Sequence, residues 1–144
     1  MENNEEHIES DVPSILVKDG VVNNTLDNAN QPVVSVDEII ASQGNSVSWS
    51  YRLVNSDSNS ATLILQLPGE GNRRHYHPNW NEWWYIVDGT WEWLVEGESF
   101  VVSKGDLVFI QKGKWHKITA LGHKPAIRLA VSKDQVAHIY KSKI

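Results

Sequence analysis

From Trp49 to Ile139 the chain is a succession of short apolar runs, most of them closed by a turn that carries glycine. Ala61-Thr62-Leu63-Ile64-Leu65-Gln66-Leu67 ends at Pro68-Gly69, Trp83 to Val87 ends at Asp88-Gly89, and Trp91 to Val95 ends at Glu96-Gly97. Phe100 to Val102, Leu107 to Ile110, His116 to Ala120 and Ala126 to Val131 follow in the same manner. Such runs are too short for helices. Repeated about every 8–12 residues between glycine-rich turns, they describe the strands of a sandwich or barrel. Asp88-Gly89 between two aromatic runs reads as a hairpin turn. Residues 47–140 are therefore expected to form one all-β barrel domain.

Residues 1–46 read differently. The first 32 are polar and carry six asparagines, with one apolar patch, Ile15-Leu16-Val17. That composition predicts an N-terminal arm, either flexible or an edge strand in need of a partner. One short helix is expected at about 36–42, because Ser35 and Glu38 fit a capping box and Gly44 stands where a helix would stop.

The composition excludes several classes of function. Thirteen basic against eighteen acidic residues give a net charge of -5, the wrong sign for neutralising a nucleic-acid backbone. No apolar run approaches the roughly 20 residues of a membrane span. The opening MENNEEHIES has no apolar stretch of the kind a secretory leader needs. Without cysteine there is neither a disulfide framework nor a thiolate metal site. A cytoplasmic protein acting on a small molecule is the expectation.

The chemistry lies in four residues. In extended backbone, residues i and i+2 point to one face, so His75 and His77 project together and Tyr76 points away. Glu82 opens the next strand after the turn-forming Pro78-Asn79-Trp80-Asn81, and His116 opens another after Gln111-Lys112-Gly113-Lys114. Three imidazoles and one carboxylate brought together would suit a first-row transition metal, at roughly 2.0–2.2 Å for an ion such as zinc.

These residues resemble the motifs of the cupin superfamily. The first, G-x5-H-x-H-x3–4-E-x6-G, is met by Gly69, His75, His77, Glu82 and Gly89; the second, G-x5-P-x-G-x2-H-x3-N, is met by Gly105, Gly113 and His116. Gln111 stands where that motif has proline and Ala120 where it has asparagine, and neither position is a ligand. The resemblance covers about residues 47–132. It implies a double-stranded β-helix, or jelly roll, holding one divalent transition metal on His75, His77, Glu82 and His116. Iron heads the expected ions, with zinc, manganese or nickel behind it. It also implies a homodimer.

Around the four ligands, Arg73 falls two residues before His75 and so on the same face, where a guanidinium could hold a carboxylate, phosphate or phosphonate in bidentate fashion. The alternatives are a solvent-facing arginine or one paired with a structural acid. Arg128, inside an apolar strand, would need a partner if buried and is a second candidate for substrate contact. Gln66 interrupts another apolar strand and could reach the cavity. Alternation from Glu82 places Trp84 and Ile86 inward, with Trp83, Tyr85 and Val87 outward, which makes Trp84 the pocket candidate among seven tryptophans. Most of the others are expected to pack the core and a dimer interface. His138 and Tyr140 follow the barrel and could fold back over it; His7 and His123 receive no role.

The expected function is a metal-dependent enzyme acting on a small anionic metabolite. Oxygenase chemistry stands slightly ahead of isomerase or lyase chemistry. No catalytic acid or base stands out. A non-catalytic small-molecule-binding cupin is the alternative from another class, because a fold fixes the architecture better than the reaction.

Overall fold

A computed structural model describes residues 5–141. In chain order the elements are β1 (Glu6–Glu9), α1 (Val12–Lys18), β2 (Asn23–Thr25), α2 (Val36–Gln43), β3 (Trp49–Asn55), β4 (Ser60–Gln66), β5 (Glu82–Asp88), β6 (Thr90–Val95), β7 (Glu98–Ser103), β8 (Leu107–Ile110), β9 (His116–Leu121), β10 (Ala126–Ser132) and β11 (His138–Lys141). A six-stranded sheet runs β2-β3-β4-β10-β5-β8, a three-stranded sheet runs β7-β6-β9, and β1 pairs with β11. The strands expected from the spacing of the apolar runs form, and together they make the all-β jelly roll that the resemblance implies.

The hairpin expected at Asp88-Gly89 does not form. β5 lies between β10 and β8, whereas β6 lies between β7 and β9, so the chain crosses from one sheet to the other. Packing explains the outcome. Trp84 and Ile86 of β5 face Trp91 and Trp93 of β6 across the sandwich, and all four are buried. The Trp84 and Trp93 rings meet edge-on at 5.3 Å; a hairpin would set them side by side on one sheet and leave the facing layer empty. Gly89 makes the corner. Its φ is +77°, and a Cβ there would lie 2.5 Å from that of Ala126.

The N-terminal segment also departs from expectation. Beyond the short helix at 36–42, a second one, α1, takes in the patch read as arm or edge strand. Val12, Ile15 and Leu16 recur at helical spacing, Pro13 occupies the first turn, and Ile15 and Leu16 are buried. Leu16 joins Val21 and Ile64 in a small cluster on the barrel. α2 matches its prediction: the Ser35 hydroxyl accepts from the Glu38 N–H at 3.2 Å, and Gly44 caps the other end. Val36, Ile39 and Ile40 of α2 pack on the Trp49 cluster.

Tyr76 bridges to Ile139 of β11, and β1 covers the other edge of β11. His75 itself bridges to His116, which ties the two motifs together through the backbone. Gly71, bridged to Thr119, comes so close to β9 that a Cβ would meet the Ile118 carbonyl oxygen at 1.8 Å. Among the described residues no helix is long and apolar enough to cross a membrane.

Candidate metal centre

The four residues singled out by spacing converge. One ligand atom from each of His75, His77, Glu82 and His116 lies within 4.8 Å of the others, and all four residues are buried. His116 reaches the site as the first residue of β9, Glu82 as the first of β5, and the two remaining histidines come from the bridged segment between β4 and β5.

Hydrogen bonds fix the imidazoles in the orientation a metal needs. Nδ1–H of His75 donates to the Arg73 carbonyl at 2.8 Å, that of His77 to Ala137 at 3.0 Å and that of His116 to Lys114 at 3.0 Å. Each ring thereby turns its Nε2 towards the other donors, the arrangement by which an outer partner orients a metal ligand. Nε2 of His116 is buried and has no hydrogen-bond partner. Nε2 of His77 sits 2.7 Å from Glu82 Oε1. A buried nitrogen left bare among three other donors is costly unless something fills the gap, and a cation does. The donor set fits a divalent transition metal.

The electrostatics agree. Burial, reinforced by the neighbouring His116, His138 and His77, holds His75 well below its ordinary value. Burial likewise lowers His116 to about 4. His77 moves the other way: burial opposes its charge, but the Glu82 carboxylate outweighs burial and raises it. Burial would raise Glu82, yet the His77 imidazole brings it down. The two shifts favour an ion pair between His77 and Glu82, while burial favours the neutral forms of His75 and His116.

Beside the ligands lies a cavity of about 70 Å³, walled by His75, Glu82, Trp84, Arg128 and His138 on the barrel side and capped by Ile15 and Leu16 of α1. Trp84 lies where alternation placed it, its ring 5.7 Å from that of His116. Arg128 is fully enclosed, and its Nη2 donates to Gln66 Oε1 at 2.9 Å. Burial lowers the Arg128 guanidinium to about 10. Gln66 does not line the cavity; its amide donates to the Gly71 carbonyl at 2.8 Å, so it braces Arg128 from behind. Arg73 does not line the cavity either. Its Nε donates to Asp19 at 2.6 Å, its Nη1 and Nη2 donate to Glu9 at 3.1 and 3.2 Å, and the group lies 4.3 Å from the centre of the Tyr140 ring. The structural-acid alternative describes this geometry.

Two residues gain weight from the structure. The His138 ring, brought back by β11, lies tilted 4.7 Å from that of His75 and edge-on 4.4 Å from that of His77, with its Nδ1–H donating to the Val136 carbonyl. Burial lowers it to about 4. Arg52 on β3, 3% exposed, also lines the cavity. Its signal was available: it interrupts the run from Trp49 to Val54 much as Arg128 interrupts its own strand.

Residues 62–132 match the model of the Cupin domain family. The chain belongs to the cupin superfamily. It is 32% identical over 59 residues to the tetracenomycin polyketide synthase protein TcmJ of Streptomyces glaucescens, covering 41% of this chain and 40% of that protein. It is 26% identical over 80 residues to oxalate decarboxylase OxdC of Bacillus subtilis strain 168, covering 52% of this chain and 21% of that protein. The chain thus spans less than half the length of either relative. Among solved structures, an uncharacterized conserved protein with a double-stranded β-helix domain from Klebsiella pneumoniae superposes with a TM-score of 0.64 at 20% identity, covering 80% of this chain and 94% of that one. This last likeness concerns the fold alone.

Proposed function

We propose that this cupin is a metal-dependent enzyme acting on a small anionic metabolite. The reading is carried by one observation: a complete donor set of His75, His77, Glu82 and His116 adjoins a cavity whose wall holds the buried cation Arg128. A divalent ion there would supply Lewis acidity, or with iron a route to dioxygen. The remaining work belongs to the chain. Arg128, braced by Gln66, receives the acidic group of the substrate. Trp84 and the apolar side chains of α1 exclude water. Arg73 locks Glu9 and Asp19 so that α1 stays seated over the cavity.

His138 favours isomerase or lyase chemistry over oxygenase chemistry. It is a neutral imidazole on the cavity wall with Nε2 uncommitted, able to take or give a proton at a bound substrate. The likeness to an oxalate decarboxylase points in the same direction. Dioxygen separates the two. Turnover of a small carboxylic acid under strict anaerobiosis supports proton-transfer chemistry; consumption of oxygen by the ferrous protein in step with product restores the oxygenase. If the ligand returns unchanged with every metal and at every oxygen level, the protein is a binding cupin and the proposal fails. The exposed Trp83, Tyr85, Leu107 and Phe109 on the outer face of paired strands β5 and β8 support a homodimer, which light scattering tests.

A further inference from the structure

Beside the metal ligands the cavity wall holds donors that nothing in the protein satisfies. Arg52 Nε, Arg128 Nε, Trp84 Nε1 and Ser132 Oγ are each buried without a hydrogen-bond partner, and all four residues line the one cavity. Strand register brings them together. Arg52 stands opposite Thr62, Thr62 opposite Ala130, and Ala130 opposite Trp84, while Arg128 and Ser132 flank Ala130 at i−2 and i+2 on the same face. Three of the four unmet groups are N–H donors with no acceptor capacity. Leaving one such group unmatched in the interior costs about 1–3 kcal/mol, so a cluster of them calls for an acceptor-rich guest.

Charge narrows the class of guest. Arg52 has a carboxylate at 3.4 Å, Asp134. Arg128 has only the neutral Gln66 as hydrogen-bond partner, with Glu82 and Asp19 acting on it through space. Of the two remaining carboxylates nearby, Glu9 is matched by Arg73 and Lys18, and Asp19, buried in the cavity lining, is matched by Arg73. A divalent ion held by the neutral histidines and Glu82 would leave one positive charge, and Arg128 adds another. Two uncompensated charges among buried side chains are strongly unfavourable. A dianion would balance both.

From this wall, and resting on the metal-dependent reading above, we infer that the substrate is a compact diacid. One acidic group takes the donors of Arg52 and Arg128, and the other end of the molecule faces the metal ligands. The cavity of about 70 Å³ limits the body between the two ends to a few heavy atoms. Arg52 is thereby a specificity-determining residue: it separates diacids from monoacids and leaves the metal ligands untouched.

Calorimetry on zinc-loaded protein, freed of excess zinc, tests the inference with malonate and acetate. Wild type binds malonate about tenfold or more tighter than acetate. In Arg52→Gln that preference collapses to within about threefold, while zinc affinity, read by chelator competition, is unchanged. Equal wild-type affinities for the two acids overturn the inference whatever the variants do, and so does an Arg52→Gln protein, folded by circular dichroism, that keeps the full preference. A zinc-free arm separates this inference from the reading beneath it. Inorganic sulfate should bind metal-free wild type and lose about tenfold or more in affinity for Arg128→Gln. If zinc fails to bind but sulfate behaves in this way, the metal-dependent reading fails and the anion wall stands. If zinc binds and malonate shows no advantage, the diacid fails alone.

Discussion

Metal binding at this centre should release one proton, and the number follows from the electrostatics of the four donors. His116 is lowered to about 4 and His75 lies well below 6.5, both mainly through burial, so neither carries a proton near neutrality. Glu82 is lowered and stays ionised. Only His77 is raised above 6.5, held charged against burial by Glu82 2.7 Å away. Below its folded pKa, His77 must shed a proton before Nε2 can bind a cation. The apparent association constant for zinc should therefore climb about tenfold per pH unit, or about 1.4 kcal/mol, between about pH 5.5 and 6.5. It should level off only above the pKa of His77. Competition against a chromogenic chelator, corrected for the chelator's own protonation, gives the slope directly. A flat profile would mean that the ion does not displace the His77 proton. A hundredfold rise per unit would mean that a second imidazole is charged, contrary to its burial.

Three further outcomes follow from the same coordinates. In metal-free protein, His116 and His138 have folded values of about 4 against 6.5 unfolded, so the fold prefers their neutral forms; stability is complete above about 6.5 and is lost as pH falls towards 4, by up to about 3 kcal/mol for each. Urea midpoints that coincide at pH 7 and 4.5 would refute this. Gly71→Ala drives a methyl into the Ile118 carbonyl and should cost at least about 1–3 kcal/mol in urea unfolding; a neutral result would show that β9 can give way. Arg73→Ala strips the buried Asp19 of its partner and should cost about 2–3 kcal/mol, discounted for the half-exposed guanidinium, with metal content unchanged; loss of metal would place Arg73 in the centre itself.

Local signals carried most of this architecture. The ligands were legible because a strand's two-residue period puts His75 and His77 on one face and because turn glycines mark where Glu82 and His116 enter their strands. What escaped depended on contacts distant in sequence. Asp88-Gly89 has the chemistry of a hairpin, but the burial of Trp84 and Trp93 against each other made it a corner between sheets. α1 was hidden by its brevity and by an N-cap, Asp11, whose side chain makes no capping bond. The position of Arg73 on the ligand face was argued from periodicity, but Asp19, 54 residues earlier, decided where its charge went. Conversely, Arg52 and His138 belong to neither motif, and only the pairing of β3 with β4 and the return of β11 bring them to the cavity.

The central claim is that four donors from separate segments hold one cation. Anomalous diffraction from crystals of the zinc-loaded protein, with metal content measured in parallel on wild type and His116→Ala, tests it most directly. The expected result is one ion at roughly 2.0–2.2 Å from His75, His77, His116 and Glu82, and near-complete loss of metal in the variant. An ion bound elsewhere, or equal metal content in both proteins, would contradict the account.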